Sequence, residues 1–512
     1  MKYKIKIWIG FALLFVTSCT KNWEDHFDIY PETVNKNVWD AMQGDPEISE
    51  FVQILKDLKY DTLFLSDIPY TLFVPTNDAV GQYKKDNTID QLLVDYHITS
   101  HFIQSEHITG KRYIQTLGEK FALFEKYKSE LKLDGILLSK ESPLYKNGKY
   151  YILEQVAKPK PNLYQYFEVT NPVLKEYIDS QDSVILDRKN SKPIGFDQNG
   201  NTVFDSVLID YNKFEVEYFP VSIESRNESA TIVFPKEQDY NEALTVMALK
   251  MNIPGFADYS DIPLDWQYDV LIPHLLKQGV FENMMEPEEF MWKSPKDTLK
   301  LKNILGDSIK ILYTPIEKAI SSNGYAYNYD NFRIPDSLYS GSVKFEAEWL
   351  LDLTGINKYA WNSRAKVQSS QFFAPLQEYI KGASNDTIVK VTFPKSYGGN
   401  FSLEFNTKNM FPRKYAMIVR THMNIGGIYN IYVNDKLVKT FDWYDFVKNK
   451  QIMPSVMGGR YLPTGNFNNF DMWVDNLTEY GSAKIRFEYK APGQVTNNGL
   501  VIDYIDFLPA AN

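Results

Sequence analysis

Six histidines, one cysteine and 65 acidic residues are what this 512-residue chain offers for polar chemistry. His97 and His101 stand at i and i+4, a spacing that on a helix would aim two imidazoles at one metal ion, with Glu106 and His107 close behind. Paired carboxylates for glycosidic hydrolysis are available by composition alone, so their abundance selects no pair. The nucleophile elbow GxSxG, the phosphate loop GxxxxGKS/T, the dinucleotide fingerprint GxGxxG and the zinc motif HExxH are all absent. Catalysis has no motif to stand on, and a non-enzyme that needs no cofactor for chemistry is expected.

Binding is better served. The chain carries 35 Tyr, 32 Phe and 9 Trp, and flat aromatic faces stack on sugar rings while polar neighbours take the hydroxyls. Trp443 and Tyr444, Tyr461 in a Gly/Pro-rich stretch, and Phe467, Phe470 and Trp473 in an Asn-rich stretch fall in one region. Each also fits an ordinary core position; the grouping is what makes this region the expected ligand-binding edge. With 55 basic against 65 acidic residues the net charge is −10, which repels phosphate backbones and excludes nucleic acid as the expected partner.

The elements that position these groups begin at the N-terminus. Lys2, Lys4 and Lys6 precede an apolar run from Ile7 to Val16, and Thr17-Ser18 lead to the only cysteine, Cys19. The run is too short for a helix that must cross a hydrocarbon layer, so it reads as a signal peptide over 1–18. Val16-Thr17-Ser18-Cys19 resembles a bacterial lipobox, which implies lipidation of Cys19 and anchoring of the mature chain. A single cysteine also forbids an intramolecular disulfide and a cysteine-based zinc site. The acids in Trp23-Glu24-Asp25-His26-Phe27 resemble the export stretch of surface lipoproteins of the Bacteroides group. Asp-Ser/Thr-aliphatic tripeptides, as at Asp182-Ser183-Val184 and Asp307-Ser308-Ile309, resemble that group's O-glycosylation acceptor and equally fit turn chemistry. The expected location is the outer membrane, lipid-anchored, at the cell surface.

Asp45-Pro46 predicts a helix start, and Ile48, Phe51, Val52, Leu55 and Leu58 follow on one helical face. Tyr70–Val74 predicts a strand stopped by Pro75, with Thr76-Asn77-Asp78 capping the next helix. Thr71-Leu72-Phe73-Val74-Pro75-Thr76-Asn77-Asp78-Ala79, Leu92–His97 and Asn147–Glu154 resemble, in order, the signatures of the fasciclin (FAS1) domain. The resemblance implies an α+β module in which His97 is a packed core residue rather than a metal ligand. The same order recurs at Thr231–Pro235, Leu271–His274 and Asn323–Tyr327, at offsets of 160, 177 and 176. This second stretch departs from the pattern at Pro273 and at Lys236-Glu237-Gln238.

From Val343 the texture changes to alternation. Val343, Phe345, Ala347 and Trp349 oppose Lys344, Glu346 and Glu348, while Ala483, Ile485, Phe487 and Tyr489 oppose Lys484, Arg486, Glu488 and Lys490. Ile431–Val438 predicts a hairpin turning at Asn434-Asp435. Phe345–Glu348, Gly427–Asp435 and Gly499–Phe507 resemble the galactose-binding-like jelly roll of carbohydrate-binding families. That resemblance implies glycan as a ligand and a structural calcium on Glu346, Glu348, Asp503 and Asp506, although solvated strand faces account for the same acids. The expected fold is therefore multidomain, two α+β FAS1 domains followed by an all-β jelly-roll sandwich. The expected boundaries are signal 1–18, anchor and linker 19–35, FAS1 domain 36–160, a degenerate FAS1 domain with an insertion 161–340, and the sandwich 341–512. Proteins resembling this arrangement accompany SusC/SusD-like uptake systems, which implies a TonB-dependent transporter and its SusD-like lipoprotein as partners; structural adhesion or matrix contact is the alternative.

Overall fold

The computed structural model describes residues 32–66, 68–224, 227–290, 300–310, 315–329, 332–352, 360–422, 426–442, 453–458, 460–461, 467–493 and 497–510. Cys19 and the signal and anchor segments lie outside these residues. No helix among them is long and apolar enough to cross a membrane. The chain is multidomain and largely β, and its contacts divide it into two compact units, residues up to 237 with 275–330, and 238–274 with 331 onward.

In the first unit, Asp45 accepts from the Glu47 amide and Pro46 opens a 3-10 turn that leads into the helix Ser49–Asp57. Phe51, Val52 and Leu55 are its buried face, as the spacing predicts, with Ile48 buried just before it, whereas Leu58 caps the helix end and is exposed. Thr76 caps Asn77–Tyr83 through the Ala79 amide, and Asp90 caps Gln91–Tyr96 through Leu93. The seven-stranded sheet runs in the order Ile98–Thr99, Tyr70–Pro75, Gly148–Leu153, Ile136–Glu141, Glu130–Leu133, Phe121–Tyr127, Gly110–Gln115. Tyr70–Pro75 and Gly148–Leu153 are parallel, and every residue of both is buried. Alternation sends Leu72, Val74, Tyr150 and Ile152 into a core with Phe51 and Leu55, and Phe73, Tyr151 and Leu153 into a second core with Phe124 and Leu133.

Asn147 locks this sheet to the helices. It is fully buried, accepts from the Val38 amide at 3.0 Å and donates to the carbonyls of Phe64 at 2.7 Å and Ser66 at 3.1 Å. Gly148 follows at φ +144°, where an added Cβ would collide with the Tyr70 carbonyl. The same construction recurs later in this unit. Asn323 accepts from the Leu163 amide at 3.0 Å and donates to the carbonyls of Val221 at 2.9 Å and Ile223 at 2.7 Å, and a Cβ on Gly324 would meet the Ala230 carbonyl. Ala230–Val233 pairs parallel with Gly324–Tyr329 and antiparallel with Val280–Glu282, as Tyr70–Pro75 pairs with Gly148–Leu153 and Ile98–Thr99. Thr231 Oγ1 donates to the Asn283 carbonyl and accepts from the Met285 amide, as Thr71 does with His101 and Ile103.

These equivalences correct two sequence readings. Thr71 pairs with Thr99 and Thr231 with Phe281, which places Gly279, not His274, at the position of His97. A further insertion also precedes the strands: the offset rises from 125, Val38 to Leu163, to 157, Phe64 to Val221. The added residues form a ribbon of two short two-stranded sheets, Asp182–Leu186 with Leu208–Asn212 and Lys192–Phe196 with Thr202–Asp205.

In the second unit, the helix Glu237–Met251 buries Tyr240, Leu244, Met247 and Met251. Phe256 and Trp266 then close on Phe411 of the sandwich, with ring centroids 6.2 and 5.4 Å apart. One sandwich sheet has the order Val343–Glu346, Tyr504–Pro509, Tyr415–His422, Phe467–Val474. The facing five-stranded sheet has the order Lys366–Ser369, Phe401–Met410, Gly481–Ala491, Ile428–Val433, Lys436–Asp442. A third sheet joins Leu376–Tyr379, Thr387–Phe393 and Asn498–Ile502. Phe345, Phe405, Val419, Ile431, Phe470, Phe487 and Phe507 meet in one core between them. The hairpin turns at Asn434 and Asp435, both at positive φ as predicted. The first predicted strand is shorter than its alternation implies: after Glu346 the Ala347 amide bonds the Asp503 carbonyl and Ala347–Leu350 turns as a 3-10 helix.

Candidate functional site

His97 is not a metal ligand. It ends the helix Gln91–Tyr96 and is fully buried, with Nδ1 2.7 Å from the Leu93 carbonyl and Nε2 accepting from the Ala157 amide at 3.2 Å. Those partners fix the neutral tautomer with its proton on Nδ1, and burial pushes the imidazole down to about 4. His101 lies beyond the strand Ile98–Thr99 and is exposed, so no helix aims the two rings together.

Among the described residues the predicted aromatic edge fails at Phe470. Phe467–Val474 is a strand rather than a loop, paired along its length with Tyr415–His422, so its side chains alternate. Phe470 points into the core, fully buried and stacked on Phe441 with centroids 3.7 Å apart, and it is no ligand platform. Trp473 is half-buried on the other face with Lys414 Nζ 4.1 Å above its ring. Tyr461 lies in the short strand Arg460–Tyr461, paired with Met453–Pro454, and Trp443 and Tyr444 fall outside the described residues.

Three of the four predicted calcium ligands, Glu346, Glu348 and Asp503, meet the loop 382–387, while Asp506 lies opposite Lys344 in the strand pair. Ser384 donates from its amide to Asp503 Oδ1 at 2.9 Å and from its hydroxyl to Glu346 Oε1 at 2.8 Å. Asn385 and Thr387 reach Glu348 Oε1 at 3.2 and 3.1 Å. Arg420 stands 2.9 Å from Asp503 Oδ2, and Lys344 2.7 Å from Glu346 Oε1. Asp503 is fully buried, and burial pushes its carboxyl up to about 6, with the charges of Glu346 and Glu348 adding to the rise and the Ser384 amide and Arg420 opposing it. Burial also raises Asp506. Glu346 Oε2, Glu348 Oε2 and Asp506 Oδ1 are buried without a hydrogen-bond partner among the described residues. Oxygen atoms in that state suit a hard cation. As the side chains stand, however, no three acids or histidines among the described residues surround one metal position.

A second arrangement is one that the sequence showed only as alternation. On the solvent face of the five-stranded sheet, Glu404 lies opposite Arg486, and Arg486 opposite Tyr432. The Arg486 guanidinium covers the Tyr432 ring at 4.2 Å and stands 3.8 Å from Glu488. Glu488 faces Asn430, which donates to the Tyr432 hydroxyl at 3.3 Å and accepts from Thr440 at 2.7 Å. Arg486 Nε is buried and has no hydrogen-bond partner among the described residues. A planar donor between carboxylates, amide and hydroxyls matches vicinal sugar hydroxyls, which accept from a guanidinium while donating to a carboxylate. Nothing in the composition marks this face; only the register brings Tyr432 beside Arg486.

Residues 46–159 match the family model of the fasciclin domain. Among solved structures, a FAS1 domain pair from the insect cell adhesion molecule fasciclin I is similar at 10% identity, covering 57% of this chain and 97% of that one with a TM-score of 0.21. A family 35 carbohydrate-binding module from Clostridium thermocellum is similar at 18% identity, covering 33% and 99% with a TM-score of 0.20. The C-terminal family 6 carbohydrate-binding module of LamC from Zobellia galactanivorans is similar at 14% identity, covering 33% and 99% with a TM-score of 0.19. None of the curated proteins compared matches this chain.

Proposed function

We infer that the chain is a non-catalytic, surface-exposed outer-membrane lipoprotein anchored at Cys19, and that it binds glycan through its C-terminal sandwich. The observation that carries the ligand class is the Tyr432, Arg486, Glu488 and Asn430 array on the open sheet face. In this reading residues 36–160 and 161–340 are two FAS1 domains and 341–512 a jelly roll. The recurring asparagine lock at Asn147 and Asn323 supports the duplication. The signal-like N-terminus and lone cysteine support the anchor. A SusC/SusD-like uptake system, with its TonB-dependent transporter and SusD-like lipoprotein, is the proposed partner. The test is twofold: a glycan array probed with the intact protein and with Arg486→Ala, and affinity purification from its own envelopes. Retention of a glycan lost in Arg486→Ala, with recovery of a transporter, is expected. No glycan retained and no partner recovered would refute the proposal.

A structural calcium on Glu346, Glu348, Asp503 and Asp506 belongs to the same proposal, supported by their unpartnered oxygens. Bound calcium would supply counter-charge to these acids and no reaction chemistry. The second reading, structural adhesion, is favoured by the fasciclin match at 46–159. Under that reading cell or matrix attachment survives Arg486→Ala.

A further inference from the structure

The second compact unit holds a cavity of about 740 Å³. Its walls are the helical residues 266–270, the segment 337–344 that leads into the sandwich, and the turn 411–414 between the strands Phe401–Met410 and Tyr415–His422. Sites that enclose one small ligand measure about 300 to 1,000 Å³. Trp266, Tyr339, Phe411 and Tyr415 line the cavity and are buried. Phe411 joins them, its ring centroid 5.4 Å from Trp266 and 5.3 Å from that of half-buried Tyr480. Such a lining accepts a ring, and it strengthens any charge interaction by keeping water away.

Two cations in the lining have no counter-ion among the described residues. Arg413 is half-buried; its Nη2 donates to the Tyr339 carbonyl and its Nε reaches the Tyr415 hydroxyl at 3.4 Å, which leaves Nη1 without a partner. Lys408 is exposed and meets only the Trp349 ring, its Nζ 4.8 Å from the centroid. The third, Lys344, is already paired with Glu346. A guanidinium fixed on two sides and open on the third matches a carboxylate, with an ammonium nearby to share the charge. The lining also holds acceptors: Asp269, exposed and bonded only to Asn409 at 3.2 Å, and the exposed hydroxyl of Ser337. A carboxylate in the lining tolerates an anionic ligand where that ligand turns hydroxyl donors towards it.

We propose that this cavity binds a small hydroxylated ring that carries a carboxylate, with the acid on Arg413 and Lys408 and a hydroxyl on Asp269. None of Asn430, Tyr432, Arg486 and Glu488 lines it, so this site and the sheet face assigned to glycan can fail separately.

The test is isothermal titration of the full chain in detergent with glucuronate, para-hydroxybenzoate, the amide of each, and inorganic phosphate. At least one acid is expected to bind, and its identity distinguishes a sugar acid from a phenolic acid as the source. Its amide should bind about tenfold more weakly, having lost the charge-assisted contact, and Arg413→Gln should weaken the acid by a similar factor. Because Arg413 also holds the Tyr339 carbonyl, circular dichroism checks that variant's fold, and Lys408→Gln provides a second one, expected to lose about threefold. Lys395→Gln makes the same change of charge in the turn before Phe401, at the far end of that strand from the cavity, and should leave binding unchanged. Binding of neither acid, or equal binding of the amide or of phosphate, would overturn the proposal. So would a loss in Lys395→Gln as large as that in Lys408→Gln, or binding that both cavity variants leave intact.

Discussion

Acidification from pH 7 to pH 4 tests the reading of His97 directly. In the unfolded chain its imidazole titrates near the ordinary 6.5, whereas in the folded chain burial holds it at about 4. The folded state therefore binds fewer protons than the unfolded state across that window. The contribution of neutral His97 is complete above pH 6.5 and is lost as the pH falls towards 4. A separation of two to three pKa units corresponds to about 3 kcal/mol at about 1.4 kcal/mol per unit. The structural cause is that a proton on Nε2 would displace the Ala157 amide from its acceptor and place a charge beside the Phe51 ring, 5.3 Å away. Carboxylates titrate in the same range, so the comparison is with His97→Gln, which removes the imidazole and shares everything else. Urea unfolding followed by exchange of amides in 91–99 and 150–157 should show His97→Gln less stable at pH 7. That deficit should shrink by about 3 kcal/mol at pH 4. A constant deficit across the range, or a His97 resonance titrating near 6.5, would refute the buried neutral assignment.

Asn147→Ala leaves the Val38 amide and two carbonyls without their buried partner, and should cost about 3 kcal/mol or more in urea unfolding. Lys120, nearly buried and 2.7 Å from Glu224, should cost about 3 to 5 kcal/mol when changed to Met; Lys120→Met with Glu224→Leu should recover most of that loss. Millimolar calcium should raise the melting temperature of the sandwich transition, and Glu348→Gln should abolish the rise; an identical melt with chelator would remove the metal from the proposal.

The sequence exposed the parts of the fold that depend on local chemistry. Asp45-Pro46, Thr76 and Asn434-Asp435 act at short range, and each does what its type predicts. Positions decided by register were not legible. Phe467, Phe470 and Trp473 look alike in a row of residues, and pairing with Tyr415–His422 alone decides that Phe470 is core while Trp473 is not. Arg486 was visible as a polar position, but its ring partner Tyr432 lies on a strand more than fifty residues earlier in sequence, beyond the reach of any local pattern. The displacement of the His97 position to Gly279 is hidden for the same reason, because insertion lengths blur an offset that hydrogen bonds restore.

The compact units also decide how the two functional readings can be separated. Removing everything after Ser342 should, on the sequence boundaries, delete only the sandwich. Yet Trp266 and Phe256 pack on Phe411, and Asp269 accepts from Asn409 at 3.2 Å. The truncation would strip a buried tryptophan of its aromatic neighbour, and burying such a side chain is worth roughly 2 to 3 kcal/mol. Loss of adhesion in the truncated chain would then report a damaged helix region as readily as a missing ligand site. Arg486 touches none of those packing residues, so its substitution removes the sheet-face array and leaves the helices in place. Attachment that survives Arg486→Ala while glycan binding is lost would assign adhesion to the fasciclin-like part. Loss of both would tie attachment to the sandwich face itself.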